Sequence, residues 1–151
     1  YKAMKYDFSK QFRSYDFNTV KEYFDNNEMV PVFFNRYPHR ERYNDLNENM
    51  VLINIWNWDP NWTIKVTENG AELPVTQHHI EDPLHTISYD IPRTYKNGEI
   101  THSFRTIKTH HIFSVQTSGP DSTLEITVTD PFGNISKETM TRPKAFSTTM
   151  D

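Results

Sequence analysis

Cysteine is absent from this chain of 151 residues, and glycine occurs only four times. Without cysteine the chain can form no disulfide and can use no thiolate as a nucleophile or metal ligand, although this absence does not fix the cellular compartment. The four glycines are isolated in turn-like stretches. The sequence therefore contains no glycine-rich loop of the kind that cradles phosphate groups.

Blocks of like charge and long hydrophobic runs are also missing. Sixteen basic and twenty acidic residues give a formal net charge of −4, which provides no electrostatic reason to bind nucleic acid or a membrane surface. No apolar run approaches the roughly 20 residues that a membrane-spanning helix needs. We therefore predict a single domain that neither binds nucleic acid nor inserts into a membrane.

The start of the sequence lacks the features of a targeting segment. It begins at Tyr1 without methionine, and no basic region followed by an apolar region is present. We expect any targeting segment to have been removed or to lie on a part of the protein outside this chain. We expect the chain to be a piece of a longer protein.

Residues 51–75 contain the clearest secondary-structure signals. Residues 51–55 are apolar except for Asn54, which predicts a central strand with both faces covered. Residues 62–67 alternate between apolar and polar, which predicts a strand with one buried face. The dipeptide Asn69-Gly70 can adopt the positive φ angles of a type I′ turn. We predict that residues 73–76 return antiparallel to residues 62–67.

Short strands and turns dominate the rest of the chain. We predict strands at 29–34, 84–91, 112–115, 124–129 and 135–141, a ragged strand at 101–108, and loops or linkers at 35–49, 77–83 and 95–99. The only helix predicted is a short one capped by Asn18. The pattern indicates an all-β fold, an immunoglobulin-like antiparallel β-sandwich of about seven strands. Its N-terminal segment is expected to be mostly irregular, with at most one short helix.

Five segments together carry a family resemblance. They are 54–62 (Asn-Ile-Trp-Asn-Trp-Asp-Pro-Asn-Trp), 82–84 (Asp-Pro-Leu), 122–126 (Ser-Thr-Leu-Glu-Ile), 129–134 (Thr-Asp-Pro-Phe-Gly-Asn) and 11–18 (Gln-Phe-Arg-Ser-Tyr-Asp-Phe-Asn). In their order and spacing these segments resemble the C-terminal domain of bacterial calcineurin-like phosphoesterases. The resemblance covers most of the chain from about residue 51 to residue 146.

The resemblance implies a longer parent protein with three parts. A small N-terminal β-domain and a central phosphoesterase with two divalent metal ions would precede this C-terminal sandwich, and the parent would be exported, in a periplasmic location. Residues 1–49 would link this domain to the catalytic domain, 50–143 would form the sandwich, and 144–151 would be a polar tail that frays. The domain would be a non-catalytic accessory that docks on the catalytic domain and stabilises or shapes it.

The metal-binding motifs of that family are missing from this chain. The family binds its metals through Asp-x-His, Gly-Asp-x-x-Asp, Gly-Asn-His-Asp/Glu and Gly-His-x-His, and none of these occurs here. Gly133-Asn134 is followed by Ile135 where histidine would be required. No Gly-x-Ser-x-Gly motif for a serine nucleophile is present either. We predict that this chain alone is not an enzyme and holds no cofactor.

The histidines allow two interpretations. The pairs His78-His79 and His110-His111 consist of adjacent residues. On a strand, adjacent side chains point to opposite faces, so neither pair can clamp one metal unless the backbone is irregular. Surface and half-buried histidines are the favoured interpretation. The alternative is a metal site that combines His78 or His79 with Glu81, Asp82 or His85.

The tryptophans also allow two interpretations. Trp56, Trp58 and Trp62, with Asp59 between them, could pack into the core or against another domain. Alternatively, they could stack on sugar rings, because flat pyranose faces fit indole surfaces. The chain would then be a module that binds carbohydrate or another extracytoplasmic ligand. Trp58 is predicted to be the most exposed of the three.

Overall fold

The computed structural model of this chain describes residues 11–37, 46–92 and 107–147. These residues form eight strands in two four-stranded antiparallel sheets, together with three short helices. The strands are β1 (Phe12–Asp16), β2 (Met50–Ile55), β3 (Thr63–Glu68), β4 (Ala71–Glu72), β5 (Thr76–Glu81), β6 (Lys108–Gln116), β7 (Leu124–Thr129) and β8 (Ile135–Met140). The helices are α1 (Phe17–Asn26), α2 (Met29–Arg36) and α3 (Pro83–His85), which continues into a π-helical turn (Thr86–Asp90).

The two sheets pack face to face. The first sheet has the order β1-β2-β6-β5 and the second the order β4-β3-β7-β8. Their shared core combines apolar side chains from both sheets, among them Val51, Ile53 and Phe113 from the first and Val66 and Ile126 from the second. The predicted all-β sandwich is confirmed, with eight strands among the described residues. Its immunoglobulin-like character stays a prediction.

Helices cover the outer face of the first sheet. Leu52 of β2 points away from the shared core and packs with residues of α1 and with Leu84 in a second apolar cluster. All residues of β2 from Val51 to Ile55 are buried. The predicted central strand with two covered faces is therefore confirmed.

The N-terminal part of the chain is more regular than predicted. Residues 12–16 pair with β2 as an edge strand, and two helices follow instead of at most one. Asp16, rather than Asn18, caps α1, because the Asp16 carboxylate accepts the backbone N–H of Asn18 at 3.1 Å. The capping residue must have extended backbone just before the helix, and Asp16 has it as the last residue of β1.

Two predicted strands are wrong, because the segments form helices. Residues 29–34 lie in α2, where Phe33 and Phe34 are buried, and a short apolar run cannot by itself separate a buried helix from a strand. Residues 84–91 lie in α3 and the turn after it. Leu84, Ile87 and Ile91 are buried there at helical spacing, although Ile87 and Ile91 also fit the alternation that predicted a strand.

The predicted linker at residues 77–83 is also wrong, because most of it forms β5 at the edge of the first sheet.

The predicted turn of the hairpin after β3 is confirmed, since Asn69 and Gly70 have φ angles of 52° and 81°. Its returning strand is only Ala71–Glu72, because the chain then crosses to the other sheet. The predicted ragged strand at 101–108 and the loop at 95–99 fall mostly or wholly outside the described residues.

The strand pairing defines two ends of the sandwich. At one end, which we call the loop end, lie the connection 56–62, the turn 130–134 and Gln11. Phe12 pairs with Ile55 at this end of the first sheet, and residues 63, 129 and 135 pair at this end of the second. At the other end, which we call the buried-charge end, lie Asp16, Glu68 and Arg142.

The tail after β8 is held on the fold as far as it is described. The Lys144 ammonium group lies 3.1 Å from the Glu138 carboxylate and donates to the backbone carbonyl of Ser14 at 3.0 Å. The Phe146 ring packs against Tyr15 and Tyr23, with centroid distances of 6.0 and 5.3 Å. Residues 144–147 of the tail that was predicted to fray are therefore anchored.

Candidate functional site

Trp56 lies at the surface of the loop end. It follows β2 directly, and 46% of its surface is exposed. The sequence predicted that Trp58 would be the most exposed tryptophan, but the Trp58 ring packs edge-on against Phe113 at a centroid distance of 5.3 Å. That prediction is wrong because the chain turns after Ile55, where the Trp58 N–H donates to the Ile55 carbonyl at 3.2 Å, and so brings Trp58 back over the core.

The other predicted residues of this loop fix its shape. Trp62 packs against the shared core beside Trp58. The Asp59 carboxylate accepts the backbone N–H of Asn61 at 2.7 Å, and the Asp59 carbonyl accepts that of Trp62 at 3.1 Å. Two tryptophans thus anchor the loop while Trp56 is left partly uncovered.

The turn 130–134 holds a second exposed aromatic side chain. Phe132 is 90% exposed, and it was not among the predicted site residues. The Asp130 carboxylate accepts the backbone N–H groups of Phe132 at 2.9 Å and of Asn134 at 2.8 Å. It also accepts the side-chain amides of Asn134 at 2.8 Å and of Gln11 at 3.1 Å.

The charge of Asp130 is stabilised by these donors. Desolvation acts to raise its pKa, but the hydrogen bonds from Asn134, Phe132 and Gln11 outweigh that effect and leave the pKa below the ordinary value of 3.8. Gly133 supplies the positive φ of 86° that closes the turn. The turn is therefore well defined, and its aromatic side chain points into solvent.

The histidines meet at a bulge between β5 and β6. The pairing shifts between His78 and Ile80, so that one residue of β5, His79, lies opposite both His110 and His111. The rings of His79 and His110 stack with centroids 3.9 Å apart and an angle of 11° between the planes. The backbone is therefore irregular at these histidines, which is the condition under which an adjacent pair could have faced one metal ion.

The residues of the alternative metal site are engaged in other contacts. The His78 ring nitrogen Nε2 lies 2.6 Å from the Ser114 hydroxyl, and the His85 ring contacts the Tyr89 ring with centroids 4.8 Å apart and an angle of 32° between the planes. Glu81 is buried, with 4% of its surface exposed. Across residues 11–37, 46–92 and 107–147, no group of three or more histidine, aspartate or glutamate side chains is placed to hold a metal ion.

Asp82 belongs to a chain of hydrogen bonds that the sequence did not predict. Its carboxylate caps α3 by accepting the Leu84 N–H at 3.0 Å, and it also accepts the Tyr15 hydroxyl at 3.0 Å. The Asn54 amide donates to the same carboxylate at 2.9 Å, and the Asn54 oxygen lies 2.6 Å from Nδ1 of His111. The sequence contained one signal for this hydrogen-bond chain, because Asn54 is the one polar residue in a buried strand and buried polar groups are normally hydrogen-bonded.

His111 is the ionisable member of this chain. Burial lowers its pKa below the ordinary value of 6.5, and the negative charge of Asp82 only partly opposes this effect. The neutral imidazole is therefore favoured, with Nδ1–H donating to Asn54. The arrangement joins β1, β2 and β6 and the start of α3 through polar side chains.

The buried-charge end contains an ion pair that the sequence also did not predict. Nε of Arg142 lies 3.5 Å from the Asp16 carboxylate, and both side chains are fully buried. Nη1 of Arg142 donates to the Thr117 hydroxyl at 2.7 Å and to the Ser122 hydroxyl at 3.1 Å. Ser122 in turn donates to Glu68 at 2.5 Å.

An open groove of about 650 Å³ lies between α1 and the segment before β2. Its lining is polar and mixed in charge, with Lys21, Glu22, Asp25 and Glu48 among the residues. The residues that line the groove include none of the predicted site residues.

No helix among the described segments has the length and apolar character needed to cross a membrane.

Comparison with known proteins identifies the family. Residues 1–135 match the family described as the C terminal of calcineurin-like phosphoesterase. No curated protein and no solved structure matches the chain. Because the match extends over most of the 151 residues, this chain belongs to the family of C-terminal domains of calcineurin-like phosphoesterases.

Proposed function

We propose that this chain is a non-catalytic accessory domain that packs on the catalytic domain of a calcineurin-like phosphoesterase and stabilises or shapes it. The observation that carries the proposal is the family match over residues 1–135. A domain that is C-terminal in a phosphoesterase has a catalytic domain in the same parent chain. The two sites for divalent metal ions belong to that catalytic domain in this proposal, and the parent is exported to the periplasm.

The sequence and the geometry both support a non-catalytic role. The family's four metal-binding motifs are absent from all 151 residues of this chain, and two-metal hydrolysis needs several carboxylate, histidine and amide ligands that converge on cations about 4 Å apart. The histidines beside β5 are instead stacked on one another or bonded to neighbouring side chains. In the described residues these histidines thus serve contacts within the fold.

The test is a deletion in the full-length parent. Parent protein with and without this domain is assayed on one phosphomonoester and one phosphodiester, and thermal unfolding of the catalytic domain is recorded for both proteins. We expect the deletion to lower the unfolding temperature. A further change in the ratio of kcat/KM for the two substrates would mean that the domain also shapes the active site.

The opposite results are equally informative. A catalytic domain that unfolds at the same temperature and keeps the same kcat/KM for both substrates after the deletion would rule out a stabilising or shaping role. Phosphatase turnover by the purified 151-residue chain with added Mn²⁺, Fe²⁺ or Zn²⁺, lost on double substitution of His78 and His79 by alanine, would overturn the non-catalytic assignment.

A further inference from the structure

We propose that the loop end of the sandwich is the surface that contacts the preceding catalytic domain. This inference rests on the proposed function and names the surface and the side chains that serve it. The contact residues are Trp56, Phe132 and Ile135, and the partner is the folded domain whose polypeptide enters this sandwich through Gln11.

Exposed apolar surface is concentrated at this end. Six large apolar side chains are exposed among the described residues, and three of them, Trp56, Phe132 and Ile135, belong to the loop end, with exposed fractions of 46%, 90% and 59%. Single exposed apolar residues are ordinary, whereas neighbouring ones mark interaction surfaces. Aromatic side chains are also the residues that contribute most at the centre of protein interfaces.

The loops that carry these side chains are already fixed in shape. Asp130 accepts four hydrogen bonds, which hold the turn around Phe132. Trp58 and Trp62 pack on the core on either side of Asp59 and hold the loop that begins at Trp56. A surface that needs no ordering on contact loses less conformational entropy when it binds. The fold itself gains little from an exposed phenylalanine, so an external contact explains it better.

The path of the chain indicates which partner covers the loop end. The described part of the chain begins at Gln11, at the loop end, and the Gln11 amide donates to Asp130 of the same turn that presents Phe132. A domain N-terminal to this one is therefore tethered at the loop end. Tethering raises the effective concentration of that domain at this surface above that of any free ligand.

Other surfaces of the described fold are less suited to such a contact. The outer face of the first sheet is covered by helices. Apart from Ile135 at its loop-end edge, the outer face of the second sheet presents polar or charged side chains such as Lys65, Glu125 and Lys137, which are exposed. At the opposite end, Arg142 and Asp16 are buried in their own ion pair.

The experiment compares four forms of the full-length parent by thermal unfolding. They are the wild type, the domain deletion, the loop-end pair Trp56→Ser with Phe132→Ser, and a helix-side control pair Val32→Ser with Tyr89→Ser. Val32 and Tyr89 are 43% and 46% exposed, so the control removes exposed apolar side chains elsewhere on the domain, although with less apolar area than the loop-end pair. Phe132→Ser alone is added, because this side chain makes so little contact with its own domain that folding is unaffected.

The expected result separates the two pairs. The loop-end pair should reproduce at least half of the fall in unfolding temperature that the deletion causes, about 4 °C or more, and Phe132→Ser should give part of it. The helix-side pair should stay close to the wild type. If both pairs lower the temperature equally, or the loop-end pair behaves as wild type while the deletion does not, the loop end is not the contact surface. If the deletion changes neither the unfolding temperature nor kcat/KM for either substrate, the proposed function fails and this inference with it.

Oxidation by hydroxyl radicals provides an independent readout in the unmodified parent. Phe132 is the more exposed residue in this fold and Tyr89 the less exposed, at 90% and 46%. If the catalytic domain covers the loop end, Phe132 should nevertheless be oxidised more slowly than Tyr89 after both rates are corrected for the intrinsic reactivity of phenylalanine and tyrosine with the radical. Faster oxidation of Phe132, or protection of Trp56 that arises only after soluble xylan is added, would overturn the inference, the latter in favour of carbohydrate binding.

Discussion

Arg142 and Asp16 form a buried ion pair that depends on several further donors and acceptors. Arg142 also donates to two hydroxyls and to the Gly119 carbonyl at 2.9 Å, and Asp16 accepts the backbone N–H of Asn18. A buried ion pair adds little net stability compared with apolar residues, but removal of one partner leaves the other charge uncompensated. The network therefore makes each of its members difficult to replace alone.

We expect Arg142→Leu to lower the free energy of unfolding by about 3 kcal/mol, because Asp16 then stays buried without a cation. Urea unfolding of the 151-residue chain measures the change. Arg13→Leu is the matched control, since its guanidinium group donates to the exposed Ser147 carbonyl and its loss should cost less than about 1 kcal/mol. An equal decrease in the free energy of unfolding for the two variants would show that the buried ion pair matters no more to stability than the exposed contact.

His111 should make stability depend on pH near neutrality. Its pKa in the folded chain lies below the ordinary 6.5 because of burial, so the unfolded chain takes up this proton at higher pH than the folded chain. The contribution of neutral His111 to the free energy of unfolding is therefore complete above about pH 6.5, and it decreases as the pH falls through the lower pKa of the folded state. In His111→Gln, whose amide can still donate to Asn54, unfolding free energies at about pH 8 and about pH 5.5 should differ less than in the wild type. An unchanged difference would exclude His111 as the cause.

At the scale of elements, the β3–β4 turn depends on backbone geometry. Gly70 has a φ angle of 81°, and a Cβ atom there would meet no other atom within 4 Å. The requirement for glycine is therefore conformational and not steric. A side chain at this position must adopt a left-handed backbone, which L-residues disfavour.

We expect Gly70→Ala to lower the free energy of unfolding by about 1 kcal/mol for this reason. Gly119→Ala is the control, because an added Cβ there would meet Asp121 at an ordinary 3.8 Å and no left-handed φ is involved. This control should be neutral or slightly stabilising, since alanine restricts the unfolded chain. The pair is compared by urea unfolding, and an equal loss at both positions would contradict the conformational explanation.

At the scale of the whole molecule, the tail after β8 connects the N-terminal helices to the sandwich. Lys144 lies beside Glu138 and bonds to Ser14, and Phe146 contacts the rings of Tyr15 and Tyr23. Phe146 also packs against the two apolar clusters outside the shared core. The segment thus joins the first and last parts of the described chain, although it lies beyond the residues 1–135 matched by the family.

Two phenylalanines distinguish this internal connection from the proposed external one. Phe146→Ala should destabilise the 151-residue chain by about 2 kcal/mol, since it removes a packed aromatic side chain. Phe132→Ala should change its stability by less than about 0.5 kcal/mol, since Phe132 is 90% exposed. Both values come from urea unfolding. A large loss in Phe132→Ala would mean that this side chain serves the fold itself, and would weaken its assignment to an interdomain contact.

The sequence by itself determined the features that depend on local patterns. The apolar run of β2, the alternation of β7 and β8, and the positive φ angles at Asn69-Gly70 follow from side-chain period and turn chemistry. The missing metal-binding motifs and the family resemblance were likewise readable from residue order. From these features the β-sandwich fold and the role as an accessory domain could be predicted.

Only the tertiary structure decided the features that depend on long-range contacts. Residues 29–34 and 84–91 form helices that pack on each other, and their helical faces bury Phe33, Ile87 and Ile91 together in a cluster outside the shared core. Trp58 is covered and Trp56 exposed because the chain turns back over Phe113. Arg142 is buried because Asp16, 126 positions away in the sequence, lies 3.5 Å from it. Local periodicity contains no information about such pairs, since their energies arise only when distant segments meet.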